Sequence, residues 1–112
     1  MKKNCLTRIK YGWQFRKLFR QGSYFKGNVL RARYRKNTLG RIRLGFSVSA
    51  KRGNAVERNL FKRRLRQFSV EKVVRSGFDA VIFPTVQLQK ASWSIMLADM
   101  ERLVRQAEKK LK

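Results

Sequence analysis

The sequence predicts an α+β fold: a single-domain αβββαβα sandwich in which helices pack on one mixed β-sheet. Three observations carry this expectation. Apolar residues recur at helical spacing in three separated stretches. Two intervening stretches alternate apolar and polar residues with a period of two. A further run, Phe78 to Phe83, is almost wholly apolar and is bounded by Gly77 and Pro84. With 112 residues, 43% of them hydrophobic, the chain suffices for one modest core, and residues 1–112 read as a single domain.

The first helix is expected from Ile9 to Gln21, where Tyr11, Phe15, Leu18 and Phe19 share a face. Gly12 weakens its start, and Gly22 is placed to stop it. Tyr24 and Phe25 mark a short strand. Asn28 to Lys36 then sets Leu30, Ala32 and Tyr34 on one face and Val29, Arg31, Arg33 and Arg35 on the other, a half-buried strand with a basic open face. Asn37-Thr38-Leu39-Gly40 reads as a turn. From Arg41 to Ser49 the alternation resumes, with Ile42, Leu44, Phe46 and Val48 opposite Arg43, Gly45, Ser47 and Ser49. These two strands are expected to pair as a hairpin. A second helix runs from Asn54 to Lys72. Phe78 to Phe83 is a buried strand. A last amphipathic helix carries Trp93, Met96, Leu97, Met100, Leu103, Val104, Ala107 and Leu111 as a core-facing stripe.

Charge sets the class of partner. Lys and Arg number 29 against 6 Asp and Glu, a formal net charge of +23. Self-repulsion on that scale is relieved by a polyanion, with nucleic acid first and an anionic membrane surface second. No apolar region follows the basic N-terminus, so no signal peptide is expected. No stretch approaches the roughly 18 apolar residues of a membrane span. Cys5 is the sole cysteine, which rules out an intrachain disulfide and suits a reducing cytoplasm. The chain has no histidine, and its acids (Glu57, Glu71, Asp79, Asp99, Glu101 and Glu108) form no paired-carboxylate pattern. No nucleophile has a base beside it. Any catalysis is therefore expected to be supplied by something other than this chain.

The informative stretch is Ser49 to Gln67. Projected at helical pitch from Asn54, the residues Arg58, Asn59, Lys62, Arg63 and Arg66 fall within an arc of roughly 140°. Val56, Leu60, Phe61, Leu65 and Phe68 fall on the opposite half, with Arg64 among them and obliged to reach for its edge. Like charges at this spacing repel, and no acid is interleaved to relieve them. A solvated charged face is the bland alternative; a phosphate-binding face explains the missing acids. Asn59 adds a donor and an acceptor suited to a sugar hydroxyl or a phosphate oxygen.

The residues Gly53-Asn54-Ala55-Val56-x-Arg58-Asn59-x-x-Lys62-Arg63-x-x-Arg66 resemble the RNR signature of the bacterial ribonuclease P protein family. The strand Arg43 to Ser49 resembles the one that leads into it. Phe15-x-x-x-Phe19-x-x-Gly22 matches a third feature, and Asp79-Ala80-Val81-Ile82 with a final helix follows in order. The resemblance implies a small subunit that joins a large catalytic RNA, which with Mg²⁺ removes the 5′ leader of precursor tRNA. No cofactor is assigned to the protein itself, and the resemblance implies that Mg²⁺ is required by the RNA–protein holoenzyme. The catalytic RNA would meet Lys51, Arg52, Asn54, Arg58, Asn59, Lys62, Arg63 and Arg66. The leader would lie in a cleft with Phe15, Phe19, Arg31, Arg33, Arg43, Ser47 and Ser49. A left-handed β-α-β crossover is implied as well, where general rules favour the right-handed one. No oligomer and no membrane partner are expected.

Taken alone, Phe15 and Phe19 suit either base stacking or core packing, and Gly45, Ser47 and Ser49 suit either close approach of a nucleic-acid backbone or ordinary solvation. The sequence also departs from the family pattern. Arg33 stands where an aromatic is usual, Ala50-Lys51 where a double lysine is, and Arg52 where an apolar residue is; Leu60 and Arg64 exchange polarity. A structural ribosomal or nucleoid-type nucleic-acid binder is the alternative function. A membrane-active cationic protein would need exposed apolar faces, which this pattern assigns to a core.

Overall fold

The computed structural model describes residues 7–8, 12–70 and 77–110. In chain order the elements are β1 (Thr7–Arg8), α1 (Gly12–Gln21), β2 (Ser23–Lys26), β3 (Leu30–Lys36), β4 (Arg43–Phe46), α2 (Ala55–Val70), β5 (Phe78–Pro84) and α3 (Trp93–Lys110). Short 3-10 turns, Ala50–Arg52 and Leu88–Lys90, precede α2 and α3. The expected start of the first helix at Ile9, its Tyr11, the expected end of the second helix at Lys72, and Leu111 lie outside the described residues.

The α+β class and the mixed sheet are as expected, with one added short strand, β1. The sheet order is β1-β4-β5-β3-β2. The expected hairpin between the third and fourth strands is not formed: β5 lies between them, antiparallel to β3 and parallel to β4. The reason is burial. Strands β3 and β4 each have one polar or glycine-rich face, whereas β5 buries apolar residues on both, with Ala80 and Ile82 on one side and Val81, next to Asp79, on the other. A strand that buries apolar residues on both faces belongs in the middle of a sheet. Alternation tells which face of a strand is buried, but not which strand lies beside it.

The connection from β4 through α2 to β5 is left-handed, as the family resemblance implies. Phe46 of β4 faces α2, its ring 5.9 Å from that of Phe61. Ser47 points to the opposite face, and its N–H donates to the Ile82 carbonyl at 3.0 Å. In a chain of L-residues those two directions fix a third. Seen from the α2 side with β4 running upward, β5 lies to the left. The chain thus adopts the rare hand for parallel crossovers.

The main core lies between the sheet and the pair α2 and α3. Leu30, Ala32 and Tyr34 of β3, Ile42 and Leu44 near and in β4, and Phe78, Ala80 and Ile82 of β5 meet Phe61 and Leu65 of α2 and Met96, Met100 and Leu103 of α3. Tyr34 is wholly buried, and its hydroxyl accepts the Gln106 Nε2–H at 2.8 Å. On the other face a smaller contact joins Leu18 and Phe15 of α1 to Val81. Helix α1 ends where Gly22 was expected to stop it. A Cβ there would stand 2.5 Å from the Leu18 carbonyl and 3.2 Å from both the Arg33 Cβ and the Tyr34 N, so glycine permits the tight helix end and its close approach to β3.

One buried acid ties the layers together. Asp99, on the core face of α3, is fully buried. Its Oδ1 accepts the Asn28 N–H at 2.9 Å, and its Oδ2 accepts those of Val29 and Leu30 at 2.9 and 3.0 Å. Arg102, one turn along, approaches Oδ1 at 3.6 Å. The turn between β2 and β3 is therefore closed by a helix that arrives about seventy residues later. A Cβ at Gly27 would stand 2.5 Å from the Asp99 Cγ, so only glycine leaves room for the carboxylate. Thr85, after β5, donates both N–H and hydroxyl to the Val29 carbonyl from the other side.

We expect Asp99→Ala, which strands buried amides that had an anionic acceptor, to destabilise the RNA-free protein by about 3 kcal/mol or more, and Gly27→Ala by about 1–3 kcal/mol. Urea unfolding followed by circular dichroism measures both. A loss below about 1 kcal/mol for Asp99→Ala would show that water replaces the carboxylate there.

Candidate nucleic-acid interface

Helix α2 begins with a reciprocal cap. The Asn54 Oδ1 accepts the Glu57 N–H, and the Glu57 Oε1 accepts the Asn54 N–H, both at 2.8 Å. Glu57 is also the acid of the first turn, where the helix dipole favours negative charge. Asn54, assigned from the sequence to RNA contact, thus spends its side-chain oxygen on the helix. The strand-to-helix connection is pinned by Gln87, whose Nε2–H donates to the Lys51 carbonyl at 2.6 Å. The side chain of Lys51 stays exposed, and Arg52 is half-buried.

The expected division of α2 is present. Phe61 and Leu65 are buried, while Leu60 and Phe68 are half-buried. Val56 departs from the expectation at 76% exposed. A helical projection gives a side chain's direction but not where the underlying layer ends, and the first turn of α2 precedes the core contact. On the other side, Asn59 and Arg63 are exposed, and Arg58, Lys62 and Arg66 are half-buried. Two arginines lie on aromatic rings at the margins of α2. The Arg66 guanidinium is 4.8 Å from the Phe46 ring centroid. Arg64 reaches its edge as expected and sits 4.5 Å from the centroid of Trp93 on α3. The basic face is thus flanked by stacked guanidinium groups on both sides.

Helix α1 divides the opposite face of the sheet. On one flank Phe19, 42% exposed, packs its ring 6.0 Å from Phe83, near the C-terminal end of β5. Arg31 is the register partner of Phe83, and Ser47 and Ser49 are exposed where the chain leaves β4 beside this end. Phe15 turns inward onto Leu18 and Val81. It therefore fits the core-packing alternative more closely than Phe19 does. Arg33 is engaged elsewhere: its guanidinium lies 4.8 Å from the centroid of its cross-strand neighbour Tyr24 and donates to the Gly22 carbonyl at 3.3 Å. The open face of β3 thus meets an aromatic ring from one strand over, capped by Arg33. On the other flank of α1 lies Arg43, in a two-bonded pair with Asp79: Nε to Oδ1 at 2.7 Å and Nη2 to Oδ2 at 2.5 Å. That hydrogen bond raises the guanidinium's pKa further above its ordinary value, against the opposing effect of partial burial. Of the residues assigned to one cleft, Phe19, Arg31, Ser47 and Ser49 gather at one end of the sheet, and Arg43 lies at the other.

The model of the family described as Ribonuclease P matches residues 2–108. The chain belongs to the ribonuclease P protein family. Among ribonuclease P proteins, the component from Streptococcus pneumoniae serotype 4 is 34% identical over 102 residues, covering 91% of this chain and 80% of the relative. That from a Thermoanaerobacter strain is 28% identical over 103 residues, covering 88% and 87%. Among solved structures, the ribonuclease P protein of Thermotoga maritima superposes with a TM-score of 0.77 at 25% identity, covering 89% of this chain and 96% of that one. The Staphylococcus aureus protein gives 0.76 at 27%, covering 90% and 94%.

Three of the described acids have structural work. Asp99 holds amides, Asp79 holds Arg43 and the Asn37 side chain, and Glu57 caps α2. Among the described residues no group of three or more His, Cys, Asp or Glu side chains could hold a metal ion. No helix among the described residues is long and apolar enough to cross a membrane. Sequence reasoning missed Trp13, on α1, and Tyr24 and Phe83, on the sheet beneath it, as exposed or partly exposed rings. The signal for Phe83 was legible, since Asp79, Val81 and Phe83 alternate onto one face of β5.

A double-mutant cycle on Arg43→Ala and Asp79→Ala is expected to give a coupling energy of about 1 kcal/mol or more in urea unfolding. Additive effects would place Arg43 among the freely available cations of the surface.

Proposed function

We propose that this chain is the RNA-binding, non-catalytic subunit of a ribonuclease P holoenzyme. In this reading the basic face of α2 docks ribonuclease P RNA, and the Phe19–Phe83 flank of α1 receives the single-stranded 5′ leader of precursor tRNA. The observation that carries it is the face formed by Arg58, Asn59, Lys62, Arg63 and Arg66, on which no acid is interleaved. Cationic side chains without acidic neighbours bind phosphate, and each contact releases condensed counterions. The exposed ring of Phe19, with Arg31 nearby, suits an unpaired base and its phosphate. Hydrolysis of the phosphodiester falls to the RNA, with Mg²⁺ held among its phosphates. The protein positions the two RNAs and screens their mutual repulsion.

Reconstitution tests the whole reading. The protein alone should leave precursor tRNA intact, and with a bacterial ribonuclease P RNA it should restore leader removal at low Mg²⁺. RNA affinity should fall with salt at a log–log slope of roughly −4. Cleavage by rigorously RNA-free protein, or a slope near −1, would contradict the proposal.

The two surfaces should separate under mutation. Arg58→Ala with Arg63→Ala should weaken holoenzyme assembly by about 1.5–3 kcal/mol per lost contact, whatever the leader length. Phe19→Ala should leave assembly nearly intact and weaken binding of leader-bearing precursors by about 1–3 kcal/mol. Filter binding with leader-bearing and leaderless tRNA distinguishes these outcomes. Equal losses for both substrates in Phe19→Ala would remove the leader assignment.

A further inference from the structure

Behind α1, on the flank away from Phe19, lies a cavity of about 340 Å³. Trp13 and Lys17 of α1 form one wall, and Thr38 and Leu39 of the β3–β4 turn form the other; Arg43 and Asp79 line it between them. Arg35 and Lys36, at the end of β3, also border it. Trp13 is 54% exposed and Leu39 45%. Both are large apolar side chains left open to water.

The walls are fixed in advance. Asn37 holds the turn: its Oδ1 accepts the Leu39 N–H at 2.9 Å, and its Nδ2 donates to the Arg41 carbonyl at 3.0 Å and to the Asp79 Oδ1 at 2.8 Å. Arg43 closes on Asp79 through two hydrogen bonds, so the one acid in the cavity is already neutralised. Arg35 is steadied by the Gln21 side chain. What faces a ligand is an aromatic ring, an apolar lip, and the exposed ammonium groups of Lys17 and Lys36. A ring beside positive charge is the pattern by which proteins hold a single-stranded nucleotide: the base stacks, and the cations take the phosphate. The volume falls in the range of small-ligand sites, which run from about 300 Å³ upward.

We propose that this cavity is a second nucleotide site, on the opposite flank of α1 from the leader cleft, and that it takes an unpaired nucleotide of the leader farther from the cleavage point. This inference rests on the leader reading of the Phe19 flank. Trp13 and Phe19 are six positions apart, about 9 Å along the helix, and on opposite flanks of it, so a strand leaving the first flank must pass over α1, whose diameter is about 10–12 Å, to reach the second. The site gives the protein a means to discriminate long leaders from short ones.

The test uses the holoenzyme, assembled from this protein and ribonuclease P RNA, with precursor tRNAs of graded leader length. Trp13→Ala should weaken binding about tenfold for the longest leaders. It should leave short-leader and leaderless affinities unchanged, and Trp13→Phe should restore most of the loss. Lys17→Ala with Lys36→Ala, which removes no apolar contact, should show the same length dependence. If neither variant changes affinity at any length while Phe19→Ala still does, the cavity is not a leader site and the cleft reading stands. If Trp13→Ala weakens all substrates equally, the cavity serves the catalytic RNA and the proposal is overturned. If neither Trp13→Ala nor Phe19→Ala has a length-dependent effect, both readings fall together.

Discussion

The carboxylate of Asp99 accepts backbone N–H groups from Asn28, Val29 and Leu30, out of contact with water. That contact fixes the β2–β3 turn, and with it the register by which β3 lies against β5. It also fixes α3, since the acid cannot slide along the helix without abandoning its donors. Gly27 is required by the same carboxylate, and Thr85 holds the turn from the far side. Sheet, turn and helix are thus indexed to one another by a single charged group whose desolvation is offset by directed donors.

The same thrift applies to the other acids. Against 29 cations the chain has 6 acids, and three of them serve inside the fold: Asp99 on amides, Asp79 on Arg43, Glu57 on the α2 cap. Negative charge is spent on architecture, and the one described acid on α2, Glu57, sits in the cap rather than among Arg58, Lys62, Arg63 and Arg66. So few acids cannot offset the cations, and that excess is what a polyanionic partner would relieve. Stability and binding are coupled here through where the few carboxylates sit.

Much of this was legible in the sequence. The strand alternation from Leu30 to Tyr34, the stripe of α3 and the acid-free arc of α2 each follow from a simple period. The neighbours of each strand did not follow, because alternation is a property of one strand while pairing is a property of two. The doubly apolar run of β5 held the clue to its central place. Asp99 could be noticed as an acid inside the apolar stripe of Met96, Met100 and Leu103, but its partners lie far away in the chain. The split of the assigned cleft residues by α1 depends on how a helix lies over a sheet, which no local pattern encodes. The pairing of Arg33 with Tyr24 required knowing that β2 lies beside β3.

The placement of β5 has a consequence for synthesis. On a chain emerging from the ribosome, β3 and β4 appear early, yet neither can be joined to the other until Phe78–Pro84 slots between them. Asp99 emerges later still. Until then the pairs β2–β3 and β1–β4 are separate halves of the sheet, each with an open edge where β5 belongs, and a strongly cationic segment is already exposed. Non-local closure of this kind makes folding slow relative to helical domains of the same size. It also makes completion nearly all-or-none, because the central strand and the acid that locks the turn both come from the last third of the sequence.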